Sequence, residues 1–160
     1  MIVYRFIKEK YLDDPLSADG AKKVGGRWNS PGVPMLYTSE SASTAQLEIL
    51  ASVGDPSVLE LYRLVRLSIP DDVWKIDIAS LKEVQLSRNS DTPWDAPIHP
   101  EYTRAIGDEW IKSKQTLALL VPSSFCPLDY NVLINPEHER FSEIVSDLPN
   151  IGISPRLFKK

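Results

Sequence analysis

Arg27, Tyr37 and Glu48 are the residues of this chain best equipped for chemistry, and they fall within one short stretch. They stand in Gly25-Gly26-Arg27-Trp28-Asn29-Ser30-Pro31, Leu36-Tyr37-Thr38-Ser39-Glu40 and Ala45-Gln46-Leu47-Glu48. Arginine offers a planar fork that matches phosphate oxygens and keeps its charge at any working pH. The two glycines before it allow a close backbone approach to a ligand. A tyrosine ring can stack on a flat heterocycle while its hydroxyl finds a partner. A carboxylate can stabilise a cationic sugar transition state. Each also has an ordinary reading: a surface arginine beside a turn with Trp28 in the core, a half-buried strand tyrosine, and a solvated helix face.

The elements around these residues follow from pattern. Ile2 to Phe6 has strand composition, and Lys8 to Lys23 is a polar, mixed segment broken by Pro15 and Gly20. Gly25-Gly26 and Ser30-Pro31-Gly32-Val33-Pro34 are turns. Met35 to Thr38 is a short strand. Ser41 to Val53 is a helix, with Ser39, Ser41 and Ser43 as candidate caps and Ser43 with Gln46 fitting a capping box. Ala42, Ala45, Ile49, Leu50 and Val53 form its apolar stripe. Ser41, Thr44, Glu48 and Ser52 form an adjoining polar face, so Glu48 sits on a floor of small hydroxyls, consistent with a cleft. Gly54-Asp55-Pro56 ends the helix.

Val58 to Ile69 reads as a long strand, Ile78 to Val84 as a short helix and Arg88 to Pro100 as a proline-rich loop. Tyr102, Ile106 and Trp110 recur at helical spacing in Glu101 to Lys112. Leu117 to Val121 is an apolar run that predicts a strand buried on both faces. Asn131 to Asn135 is a further strand, Glu137 to Ile144 a short helix, and Ile151 to Phe158 a last strand. The pattern predicts one α+β domain with mostly antiparallel or mixed strands.

Composition narrows the function classes. Hydrophobic residues are 42% and charged residues 25% of the 160, as in a globular domain. A net charge of −4 argues against electrostatic nucleic-acid binding, which needs a basic surface. Cys126 is the single cysteine and the two histidines, His99 and His138, are far apart, so neither an internal disulfide nor a dedicated metal site is expected. The N-terminal strand turns charged at once, and no apolar run approaches a membrane span. A soluble cytoplasmic protein is the expectation. Ser123 and Ser124 follow a buried strand, but no Gly-x-Ser-x-Gly surrounds them, which argues against a hydrolase nucleophile.

Taken together, these segments resemble the RES-domain family, bacterial toxins paired with Xre-type antitoxins. The resemblance runs from Tyr4-Arg5 through Gly26-Arg27-Trp28-Asn29, Leu36-Tyr37-Thr38-Ser39 and Ala45-Gln46-Leu47-Glu48. It resumes at Leu119-Leu120-Val121-Pro122-Ser123 and Asn131 to His138, and finishes at Pro155-Arg156-Leu157. Residues 54 to 114 match least specifically. The resemblance implies a single RES domain over 1–160, with an ADP-ribosyltransferase-like fold: a compact mixed or antiparallel sheet core with flanking helices. It implies NAD as substrate rather than cofactor, and an Xre-type helix-turn-helix antitoxin as partner, with a toxin homodimer inside a larger complex. Arg27, Tyr37 and Glu48 match its Arg, Tyr and Glu, Ser123 its Ser, and Asn135 a further polar position. Trp28 and Asn29 flank Arg27 as substrate-contacting positions. The implied roles are phosphate grip for Arg27, nicotinamide stacking for Tyr37, and stabilisation of an oxocarbenium-like ribose for Glu48. Ser123 and Asn135 would bond the nicotinamide–ribose end or brace the others. Water as acceptor makes a NAD glycohydrolase, and a protein side chain makes an ADP-ribosyltransferase. A silent antitoxin-binding module is the third reading.

Overall fold

Alternating apolar residues lay down the strands, and short breakers end them. The computed structural model describes residues 1–157. Its strands are β1 (Ile2–Lys8), β2 (Leu36–Ser39), β3 (Tyr62–Ser68), β4 (Val73–Lys75), β5 (Ala118–Pro122), β6 (Tyr130–Ile134) and β7 (Val145–Asp147). They form one seven-stranded sheet in the order β4-β5-β6-β2-β1-β3-β7. Every neighbouring pair is antiparallel except β4 with β5. The α helices are α1 (Asp19–Val24), α2 (Ala42–Ser52), α3 (Ile78–Ser87) and α4 (Glu101–Ser113). The expected α+β class, with a mostly antiparallel sheet and flanking helices, is the one observed.

Side-chain alternation sends residues to opposite faces of the sheet. On one face, Leu119, Val121 and Leu133 pack with Trp28, Met35, Leu81, Trp110 and Ile111, which places α3 and α4 over β5 and β6. Towards β1 and β3 the same sheet meets α2, where Phe6, Leu64 and Leu59 surround Ala45 with Ala42, Ile49, Leu50 and Val53 at the margin. The other face holds Val3, Leu36, Val65, Leu67, Val132 and Ile134 and runs continuously beneath both halves. Burying one such side chain contributes about 1.5–3 kcal/mol.

Several boundaries differ from the sequence expectation. The stretch from Val58 begins in a 3-10 helix (Pro56–Leu61), because Asp55 caps it by accepting the Ser57 N–H and Pro56 fixes the first backbone angle. The strand starts only at Tyr62, and Leu61 is exposed. The polar segment before Gly25 contains α1, and β4 and β7 are short strands at the two edges of the sheet. Glu137 to Ile144 holds a 3-10 helix, Glu139–Glu143, rather than an α-helix. No strand forms in Ile151 to Leu157: Gly152 makes one isolated bridge to Arg63, and Pro155–Leu157 is a 3-10 turn. Phe158, the last residue of that expected strand, lies outside the described residues. At α2 the cap is Ser41, whose hydroxyl accepts the Thr44 N–H at 3.0 Å, not Ser43.

Candidate active site

The sheet is weakest where β1 meets β2. These strands pair at one position, Tyr4 with Ser39. By contrast, β1 holds β3 along seven positions and β2 holds β6 along four. The two halves therefore fork, and a cleft of about 730 Å³ opens between them. Tyr4, Arg5 and Phe6 line it from β1, and Tyr37, Thr38 and Ser39 from β2. Glu48 and Ile49 reach it from α2, and Gly25, Gly26 and Arg27 from the turn after α1.

The Arg27 wall is built from main chain. Successive α4 residues grip the backbone of residues 26–30. The Arg104 Nε donates to the Gly26 carbonyl at 3.0 Å, Thr103 Oγ1 to the Arg27 carbonyl at 2.7 Å, and the Ser30 N–H donates to Asp108 Oδ1 at 2.9 Å. Gly107 lets α4 approach so closely that any Cβ there would overlap the Trp28 carbonyl. The Arg27 Nη1 donates to the carbonyls of Trp94 at 2.5 Å and Ala96 at 3.0 Å. Its Nη2 and Nε have no protein hydrogen-bond partner among the described residues. Burial lowers the Arg27 pKa, and the facing Glu48 and Asp95 carboxylates oppose that shift.

Tyr37 is locked by its hydroxyl. That group donates to Asn29 Oδ1 at 2.8 Å and accepts the Trp28 N–H at 3.1 Å. A Cβ on Gly26 would lie 2.5 Å from the same oxygen, so the glycine is needed there for space. Burial pushes the phenol pKa well up. With its hydroxyl engaged and neutral, Tyr37 has its ring to offer, not a proton.

The Glu48 wall is built from side chains. Glu48 Oε1 accepts from Ser123 Oγ at 2.8 Å and from Asn131 Nδ2 at 2.5 Å. Ser123 Oγ itself accepts the N–H groups of Phe125 and Cys126, each at 3.2 Å, so its proton is directed to Glu48. Ser39 Oγ donates to Asn131 Oδ1 at 2.7 Å and turns the amide so that its NH₂ faces the carboxylate. Glu48 Oε2 has no protein partner among the described residues. Together these bonds aim one oxygen of a fixed carboxylate.

Of the seven residues singled out from sequence, Arg27, Tyr37 and Glu48 line one cleft. Ser123 is fully buried just behind it as a brace for Glu48. Three lie elsewhere. The Trp28 side chain is in the core under α4, not in the cleft. Asn29 is fully buried, its amide donating to Ala21 and Val33 and its oxygen holding Tyr37. Asn135 is buried at the far end of β6, donating to the Ile111 carbonyl and accepting from the Glu137 N–H. The β6 asparagine that bonds Glu48 is Asn131. Also missed were Arg5 and the loop carrying Asp95 and His99, all of which line the cleft. Arg5 Nη1 donates to the Pro15 carbonyl at 3.2 Å, while its buried Nε has no hydrogen-bond partner among the described residues. Burial pushes the guanidinium down to about 10, against the attraction of Asp14, and it remains a cation at neutral pH. Burial and the Arg27 charge lower the His99 pKa, which keeps that imidazole neutral. Among the described residues no cluster of His, Cys, Asp or Glu could hold a metal ion, and no helix is long and apolar enough to cross a membrane.

A forked sheet over a cleft brings two arginines, a locked aromatic ring and an aimed carboxylate together in an α+β domain. Residues 2–154 match the RES domain, and the chain belongs to that family. It is 35% identical over 161 residues to Toxin Res of Photorhabdus laumondii, spanning 99% of this chain and 98% of that protein. The Prs ADP-ribosylating toxin of a Sphingobium species is 38% identical over 128 residues, 80% of this chain and 76% of that one. The fold matches one chain of the solved MbcT–MbcA toxin–antitoxin complex of M. tuberculosis with a TM-score of 0.69 at 22% identity, covering 98% of this chain and 85% of that chain. The M. tuberculosis protein named NAD(+) phosphorylase MbcT is 37% identical over 65 residues, 36% of this chain and 35% of its own length. The compact, mostly antiparallel sheet core with flanking helices expected from the resemblance is thus the one found.

Proposed function

We propose that this chain is a toxin that breaks the nicotinamide–ribose bond of NAD and passes the ADP-ribose to water. The observation that carries the reading is Glu48, held through Oε1 with Oε2 left unpartnered, beside a cleft that also holds Arg27, Arg5 and the Tyr37 ring. The leaving nicotinamide is already a cationic pyridinium, so departure needs no general acid. What the reaction needs is negative charge near the ribose as it becomes oxocarbenium-like, a grip on the pyrophosphate, and a fixed orientation for the ring. Glu48 Oε2 supplies the first, the free nitrogens of Arg27 with Arg5 the second, and Tyr37 the third. Water adds to the ribose carbon, nicotinamide leaves with the bonding pair, and one proton is released.

A toxin of this kind arrests its own host unless restrained, and the expected partner in the cytoplasm is an Xre-type helix-turn-helix antitoxin. A pair of toxin copies within a larger complex belongs to the same proposal. The second reading is transfer of ADP-ribose to a protein. It is favoured by Phe125 and Leu128, 53% and 90% exposed on the loop after Ser123, and by the name of the Sphingobium relative.

Purified chain incubated with adenylate-labelled NAD and inorganic phosphate separates the outcomes. Free ADP-ribose supports hydrolysis. A phosphorylated ADP-ribose makes phosphate the acceptor, as the name of MbcT has it for that protein. Label retained on protein supports transfer, and intact NAD leaves an antitoxin-binding module.

A further inference from the structure

The loop that follows β5 does more than carry Ser123. It is closed on itself: the Ser123 N–H donates to the Asp129 carbonyl at 2.9 Å, and the Asp129 N–H to the Cys126 carbonyl at 2.8 Å. Its far end is also tied to α2, where Thr44 Oγ1 donates to Asp129 Oδ2 at 2.7 Å. Thr44 is fully buried, and its hydroxyl also meets the Ser41 cap at 2.8 Å. Thr44 lies one helical turn before Glu48, about 6 Å along the same face of α2.

We infer that Thr44 and Asp129 are positioning residues for Glu48, and the inference rests on the NAD-cleaving reading above. One face of α2 is fastened to one loop at two points, Thr44 to Asp129 and Glu48 to Ser123. Without the Thr44 bond the polar face of α2 is tied only at its Glu48 end, to Ser123 and Asn131, and the rest of its hold is apolar packing that has no fixed direction, so a small roll of the helix carries the carboxylate with it. With two points the roll is fixed, and so is the place of Oε2. A misplacement of about 1 Å at a reacting centre can cost on the order of 100-fold in rate. Neither residue touches substrate in this scheme: Thr44 is away from the cleft surface, and Asp129 faces Thr44.

The test is steady-state NAD cleavage by wild type, E48Q, T44V, T44S and D129A, each checked for a folded circular-dichroism spectrum and melt. T44V keeps the shape of the side chain and removes the hydroxyl. The expected result is a fall in kcat of about 10-fold or more for T44V and D129A, with KM for NAD within about 2-fold, and wild-type kcat for T44S. A purely structural role would change the melt and the yield but not kcat per folded molecule. Full kcat in folded T44V, or T44S as slow as T44V, overturns the inference. If T44V does not fold, D129A on the half-exposed loop decides by the same criterion. Failure of the underlying reading looks different: wild type then turns over no NAD at all. Wild type active, E48Q inactive and both T44V and D129A fully active overturns the positioning role alone.

Discussion

The wall of the cleft that carries Arg27 and Tyr37 is fastened through main chain, whereas the wall that carries Glu48 is fastened through side chains. On the first, α4 holds the carbonyls of Gly26 and Arg27 and the N–H of Ser30, and Gly107 closes the gap to Trp28. On the second, Ser123, Asn131 and Ser39 form a chain of side-chain bonds ending on one carboxylate oxygen. Damage to the first wall should unfold the domain, because the same contacts seat the Trp28 core. Damage to the second should leave a folded protein that no longer aims its charge.

That contrast can be broken by mutation. E48Q removes the charge, and NAD turnover should fall on the order of 10²–10³-fold while the melt stays within a few degrees. G107A, which drives a methyl into backbone that cannot move aside, should destabilise by about 3 kcal/mol or more, read as a shift of the urea midpoint. An unchanged midpoint would mean that α4 does not set the first wall. The two asparagines of β6 sharpen the comparison. N131A should lower turnover by about 10-fold with a small change in Tm, through loss of a charge-assisted bond. N135A should cost about 1–3 kcal/mol of stability and leave turnover per folded molecule unchanged. If the two exchange phenotypes, the assignment of Glu48's brace is wrong.

The smallest effect concerns His99, on the loop over Arg27. Its folded pKa is lowered by burial and the Arg27 charge, so the unfolded chain takes up a proton more readily. Its contribution is full above the ordinary histidine value, about 6.5, and is lost as pH falls through the lower folded value. Between about pH 7 and pH 5, H99Q should lose less stability than wild type in matched thermal melts. Equal slopes would place His99 in solvent, away from Arg27.

Arg27, Tyr37 and Glu48 each carry an ordinary reading in sequence; the helical wheel sets Glu48 among small hydroxyls, and the resemblance of the flanking segments to the RES domain is what joins the three. The expectation that Asn135 serves the site, which came from the resemblance, fails for a topological reason. β5 and β6 form an antiparallel hairpin, with Pro122 opposite Tyr130 and Ala118 opposite Ile134. Ser123 at the end of one strand must therefore lie near Asn131 at the start of the next, and Asn135 must lie at the opposite end. Had Leu117 to Val121 and Asn131 to Asn135 been read as one hairpin, the sequence would have excluded Asn135. Trp28 and Asn29 lie outside the cleft because following Arg27 in sequence says nothing about which way each neighbour points. Arg5 stands in the Tyr4-Arg5 start of the resemblance but nothing in its pattern points to the cleft, and Asp95 and His99 give no local signal. The β1 residue and the loop that carries the other two come to the cleft through packing that periodicity does not encode.

The fork between β1 and β2 has a consequence for the protein's thermodynamics. The empty domain is joined across that seam by one backbone bridge above a shared apolar floor. A molecule seated in the cleft touches both halves at once, so it acts as a fastener spanning a joint that the chain itself leaves nearly open. Its binding energy is then added to the cohesion of the whole fold. By mass action, ligand at 100 times its Kd would raise stability by about 2.7 kcal/mol. The halves would come apart later for being held by their cargo.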